Sequence, residues 1–147
     1  PRALWTEGAP FPVDHTLGAA MMLRREAILD TGLLDEGYFM YAEEIDWSLR
    51  IRRAGWEIYA VPSARVTHLA GQSTRQIRPQ SVVNLWRSRL RYFDRTAPRW
   101  RAWLIRRLVR LGMRRQIGQA QVAQRAGALT PAERDALIAA YRTVQRL

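Results

Sequence analysis

The rhythm of apolar and polar positions changes along the chain. Residues 1–16 are rich in Pro and Gly and show no period, which predicts an irregular lead-in. LGAAMML (17–23) is a compact apolar run suited to a buried strand, and RREAILDTG (24–32) predicts a short helix stopped at Gly32. GYFMYAEEIDWSLRIRRAG (37–55) opens on aromatics, passes Glu43, Glu44 and Asp46, and closes on Arg52, Arg53 and Gly55, as a helix C-terminus should. WEIYAVP (56–62) and ARVTHLA (64–70) predict two strands broken at Pro62. Strands and helices alternate through residue 70, so the first half predicts an α/β layer.

Beyond Gly71 the period becomes helical. Val83, Trp86, Leu90 and Phe93 recur at steps of three and four, with Arg87, Arg91 and Arg95 on a separate ridge. After Pro98 the design repeats in Trp100, Leu104, Leu108 and Leu111, with Arg106, Arg110 and Arg114. Both stretches predict amphipathic, strongly basic helices. In TPAE (130–133), Thr130 can cap a further helix, Pro131 fits its first position, and Glu133 can reach back to the cap. Two domains follow from this pattern, residues 1–76 and a basic helical extension over residues 77–147.

Composition narrows the classes. The 147 residues are 48% hydrophobic and include six Trp, which excludes a disordered chain. With no Cys, disulfide frameworks and thiolate chemistry are excluded. The apolar runs are too short to cross a bilayer as helices. The net charge of +11 is unevenly spread. Residues 1–74 carry −3, residues 75–115 carry +12 from thirteen Arg against Asp94, and residues 116–147 carry +2.

The candidate chemistry lies in the acidic half. Glu43, Glu44 and Asp46 crowd the start of a helix directly after Tyr38, Phe39 and Tyr41. One reading is a surface helix whose first-turn acids complement the dipole. The other is a general base, a carboxylate that takes the proton from an attacking hydroxyl. Successive helical residues project about 100° apart, so Glu43 and Asp46 share a side and Glu44 faces another. His68 ends a predicted strand before a Gly-containing turn, where a structural role and metal ligation are both open.

Taken in order, the small-residue strand, RRE, GLLDE, the aromatic cluster, the acidic pair, RRAGW, VPSARVTH and GQS closely resemble the C-terminal catalytic half of family 2 glycosyltransferases, particularly bacterial rhamnosyltransferase-like members, over roughly residues 13–76. The resemblance implies an α/β fold, the C-terminal portion of a GT-A (nucleotide-diphospho-sugar transferase) domain, followed by amphipathic helices. It implies an inverting transfer of a sugar, rhamnose among the candidates, from a nucleoside-diphosphate sugar to a glycan or lipid-linked acceptor. Glu44 would be the catalytic base, with Glu43 and Asp46 shaping the site. The family pattern has Asp where this chain has Glu44, a reach longer by about 1.5 Å, and Glu43 is the second candidate. His68 would complete the coordination of a divalent cation, Mg or Mn. Gly18 and Ala19 would lie beneath the sugar and acceptor, and Gly71, Gln72, Ser73 and Arg75 would close over the diphosphate. A packed strand explains the first pair equally, and an ordinary turn explains the loop.

The family's Asp-x-Asp motif and its nucleotide-binding units have no counterpart in residues 1–147, so the chain alone is expected to be inactive. The basic helices over residues 81–115 fit an anionic membrane surface, and the resemblance places such an enzyme at the cytoplasmic face of an inner membrane. Nucleic-acid binding is the rival of another class, as part of a non-catalytic basic module. A solvated face on a packed bundle is the third possibility.

Overall fold

A buried carboxylate organises the first half of the chain. The computed structural model describes residues 8–69 and 78–147. Its described residues fall into two compact units, one of residues 8–38 and 42–69, the other of residues 39–41 and 78–147. The expected boundary at residues 76–77 lies outside the described residues.

In the first unit, β1 (Phe11–Pro12) pairs antiparallel with β2 (Tyr59–Ala60), with Phe11 opposite Ala60 and Pro12 opposite Tyr59. The Val13 amide extends the pairing by donating to the Ile58 carbonyl at 2.9 Å. Helix α1 (Arg25–Thr31) ends at Gly32, whose φ of 70° is the left-handed conformation a glycine C-cap adopts without steric cost. Helix α2 (Glu43–Arg53) ends ahead of Gly55, with acids in its first turn and Arg50, Arg52 and Arg53 in its last.

Side-chain donors on α2 clamp it to the end of α1. The buried Trp47 ring donates through Nε1 to the Gly32 carbonyl at 2.8 Å and to Thr31 Oγ1 at 3.1 Å. Arg50 donates from Nη1 to the Thr31 carbonyl and from Nη2 to the Leu33 carbonyl at 2.8 Å, filling acceptors that the helix end leaves open. Its Nε meets Asp46 Oδ2 at 3.0 Å. Asp46 is only 4% exposed, and its Oδ1 accepts from the Tyr38 hydroxyl at 3.3 Å. Trp47 is therefore a core side chain.

Three expected strands are not formed as such. Residues 17–23 contain a turn closed by the Ala20 amide on the Leu17 carbonyl, and residues 64–69 take no regular structure. Of residues 56–62, only Tyr59 and Ala60 enter a ladder, and their partner comes from the lead-in where no strand was expected. The physical reason is pairing. A strand needs a neighbour for its backbone groups, and among the described residues β1 and β2 form a two-stranded sheet. Leu17, Met22, Val66 and Leu69 are consequently exposed, although their composition suits burial.

The second unit is a three-helix bundle of α3 (Arg78–Thr96), α4 (Arg99–Arg125) and α5 (Pro131–Arg146). Val83 and Leu90 from α3, Val109 and Met113 from α4, and Ala140 and Val144 from α5 form its core, with Trp86, Ile105 and Tyr141 packed against them. Of the stripe predicted on α3, Val83, Trp86 and Leu90 join this core, and Phe93 does not. On α4 the expected stripe is not the buried one. Ala102, Val109, Met113 and Ala120 face inward, whereas Trp100, Leu104, Leu108 and Leu111 are exposed. The capping box at α5 forms as read, with Thr130 accepting from the Glu133 amide and Glu133 returning to the Thr130 amide.

On its other side α3 buries Ser81, Asn84 and Ser88. The Ser88 hydroxyl donates to the Met40 carbonyl at 2.6 Å, which ties residues 39–41 to this unit.

Three substitutions test these contacts. Arg50→Ala leaves the Asp46 carboxylate buried without its cation and should cost about 3 kcal/mol in urea unfolding with an unchanged slope. Arg52→Ala removes only the exposed pair with Asp14 and should cost under about 0.5 kcal/mol. Equal losses would contradict the organising role of Asp46. Ser88→Ala strands the Met40 carbonyl and should cost about 1 kcal/mol while speeding amide exchange through residues 40–43; unchanged exchange there would contradict the tie.

Candidate functional site

The acidic first turn of α2 is reached through an unusual backbone. Tyr41 and Ala42 have φ of 70° and 66°, a left-handed pair without glycine, and each such residue carries roughly 1–2 kcal/mol of strain. Ala42 is the N-cap and supplies no side-chain cap, so the first-turn amides stay open and the positive end of the dipole lies beside Glu43 and Glu44.

The three acids are sorted by their partners. Asp46 is occupied on both oxygens, by Tyr38 and by Arg50, and its work is to hold the helix. Glu43 is half-buried and one of its oxygens, Oε2, is buried with no hydrogen-bond partner. Glu44 is half-buried and makes no hydrogen bond or ion pair to any described residue. Its stem lies against Gly18. A Cβ added at Gly18 would stand 3.6 Å from Glu44 Cβ, 3.7 Å from Cγ and 3.9 Å from Cδ. A methyl group fits there at ordinary contact distance, and a longer side chain would meet the Glu44 stem. The structure thus brings Gly18 and Glu44 together, through a turn rather than the expected strand. Gly18 and Ala19 are both exposed.

His68 stands exposed after β2. Among the described residues no three of His, Cys, Asp and Glu gather closely enough to hold a metal ion. These residues by themselves do not fit the divalent cation that the resemblance implies. Gly71, Gln72, Ser73 and Arg75 lie outside the described residues. A groove of about 530 Å³ lined by Pro12, Asp14, Arg52 and Trp56, among others, contains none of the candidate residues.

Sequence reasoning missed Tyr38 as a partner of Asp46 and Ser88 as the tie on Met40. The first lies in an aromatic cluster that offers no way to tell which ring turns inward. The second had a signal: Ser81, Asn84 and Ser88 repeat at helical spacing on a face of α3 that the apolar stripe does not use.

No family model and no solved structure matches the chain. Curated proteins do. The N-acetylglucosaminyl-diphospho-decaprenol L-rhamnosyltransferase of Mycobacterium tuberculosis is 34% identical over 118 residues, covering 72% of this chain and 38% of that protein. The rhamnosyltransferase WbbL of Escherichia coli K12 is 32% identical over 83 residues, 56% of this chain and 31% of that protein. The low-salt glycan biosynthesis hexosyltransferase Agl10 of Haloferax volcanii is 45% identical over 42 residues, 29% of this chain and 14% of that protein. The chain spans 38% or less of the length of each of these relatives. Its homologues are glycosyltransferases, and it is similar to them over part of its length.

Proposed function

We infer that this chain supplies the acceptor side of an inverting glycosyltransferase of the GT-A kind, in family 2, that moves a sugar from a nucleoside diphosphate to a glycan or lipid-linked hydroxyl. The names of the relatives make rhamnose the first donor sugar to test and a polyprenyl-diphosphate-linked saccharide the first acceptor. The observation that carries the reading is Glu44. Like Glu43 it makes no hydrogen bond or ion pair to any described residue, and of the two it is the one whose stem a side chain at Gly18 would meet, 3.6 Å from a Cβ placed there.

In a single displacement the acceptor oxygen attacks the anomeric carbon and its proton passes to the Glu44 carboxylate. The bond from that carbon to the diphosphate oxygen breaks, and the nucleoside diphosphate leaves with the electron pair. Asp46, Arg50 and Tyr38 keep α2 in place, which fixes where Glu44 is presented. Glu43, with its unpartnered Oε2, lies one residue away and adds negative charge beside the reacting oxygen. A magnesium or manganese ion, when bound, would take His68 as a ligand and would offset charge on the departing diphosphate; the described residues alone do not hold it.

The test is sugar-nucleotide turnover by this chain in its full reading frame, with dTDP-, UDP- and GDP-sugars, Mn²⁺ and a polyprenyl-linked acceptor. One donor should be used. Glu44→Gln should lower kcat about 10²–10⁴-fold, whereas Glu43→Gln should cost less. Gly18→Ala should stay near the parent and Gly18→Leu should fall about 10²-fold by displacing Glu44. Turnover by Glu44→Gln within about threefold of the parent would sink the assignment of the base.

A further inference from the structure

Helix α4 has two apolar faces. Its inner face, Ala102, Ile105, Val109 and Met113, packs into the bundle core. Successive residues turn by about 100°, which sets Trp100, Leu104, Leu108 and Leu111 on the opposite side, with Trp103 at its edge. These side chains are between 42% and 63% exposed, a stripe about 16 Å long at 1.5 Å per residue. Single exposed leucines on a protein surface are unremarkable, but two Trp and three Leu aligned on one helix form a patch that needs a partner.

Charge identifies the partner. The 27 residues of α4 contain Arg99, Arg101, Arg107, Arg114 and Arg115 beside or near this stripe and no acid at all. Arg101 lies over the Trp100 ring at 5.1 Å and Arg107 over the Trp103 ring at 5.0 Å. The acids of residues 78–147 are already engaged. Asp94 is bound by Arg106, Glu133 by the Thr130 cap, and Asp135 by Arg134. A second copy docked through the same face would bring Arg against Arg without counter-charge. Nucleic acid would satisfy the Arg and leave the leucines without an apolar partner.

We propose that the outward face of α4 is a docking surface for an anionic lipid bilayer, on which the helix lies in the plane of the interface. The leucines and indole rings enter the boundary between headgroups and acyl chains, and the flanking guanidinium groups reach lipid phosphates. Among the described residues no helix is long and apolar enough to cross a membrane, which agrees with a helix lying on the surface. This narrows the basic region over residues 81–115 to one face of one helix, since α3 spends its apolar stripe on the core.

The experiment is co-sedimentation of the full chain with vesicles of phosphatidylcholine containing 30% phosphatidylglycerol, with tryptophan emission recorded in parallel. The parent should bind and its emission should shift to the blue. A triple variant, Trp100→Ala with Trp103→Ala and Leu108→Ala, removes only exposed side chains, keeps the helical circular dichroism, and should bind at least about tenfold more weakly. Pure phosphatidylcholine vesicles should hold the parent at least about tenfold less. Equal vesicle binding by parent and variant would overturn the proposal, as would absence of binding by the parent. So would a parent that leaves vesicles untouched while forming a dimer that the triple variant dissolves, or while retaining duplex DNA as tightly as the variant does. No sugar enters these measurements, so their outcome stands apart from that of the transferase reading.

Discussion

A carboxylate taken out of water must be paired or it destabilises the fold that buries it. Asp46 sits at that constraint. Arg50 reaches it from the next turn of the same helix and uses its remaining donors on the carbonyls of Thr31 and Leu33. One guanidinium therefore neutralises a buried charge and caps the end of a neighbouring helix. Trp47 adds a second anchor on Gly32, and Tyr38 closes the other oxygen of Asp46. The orientation of α2 follows from these bonds. Its first turn, and with it Glu44, is set by groups that lie one turn further along.

What leads into that turn is strained, and its preceding residues are tied elsewhere. Tyr41 and Ala42 hold left-handed conformations that ordinary side chains avoid, while Ser88 fixes Met40 to the helical unit. Strain of this kind persists where surrounding contacts over-determine the backbone, and it is common at sites that act on ligands. The acids therefore begin a helix that the Asp46 cluster holds one turn further along. The bundle meets a different requirement. Its core is built from one face of α4, leaving that helix a second apolar face ringed by arginine.

Much of the helical content was legible in the sequence because a helix satisfies its own backbone. The stop at Gly32, the acid-to-arginine gradient of α2 and the capping box at Thr130 all rest on bonds between near neighbours. Strands were less legible because their bonds are distant. The runs at 17–23 and 64–69 have strand composition, yet no described segment pairs with them, while Phe11–Pro12 pairs without any periodic signal. On α4 two stripes satisfied the same period, and spacing could not say which would face α3 and α5. In the candidate site, acid identity and position were readable, and so was the resemblance that singled out Glu44. The division of labour was not, since only the structure shows Asp46 paired on both oxygens while Glu43 and Glu44 have no partner among the described residues.

The central claim is that Glu44, on a helix held by the Asp46 cluster, deprotonates an acceptor in a single displacement. The stereochemistry of the product tests it most directly. With this chain in its full reading frame, proton NMR of the newly formed glycosidic linkage, compared with the anomeric configuration of the donor, should show inversion. A product that retains the donor configuration would require two displacements, and a lone base at Glu44 could not account for it.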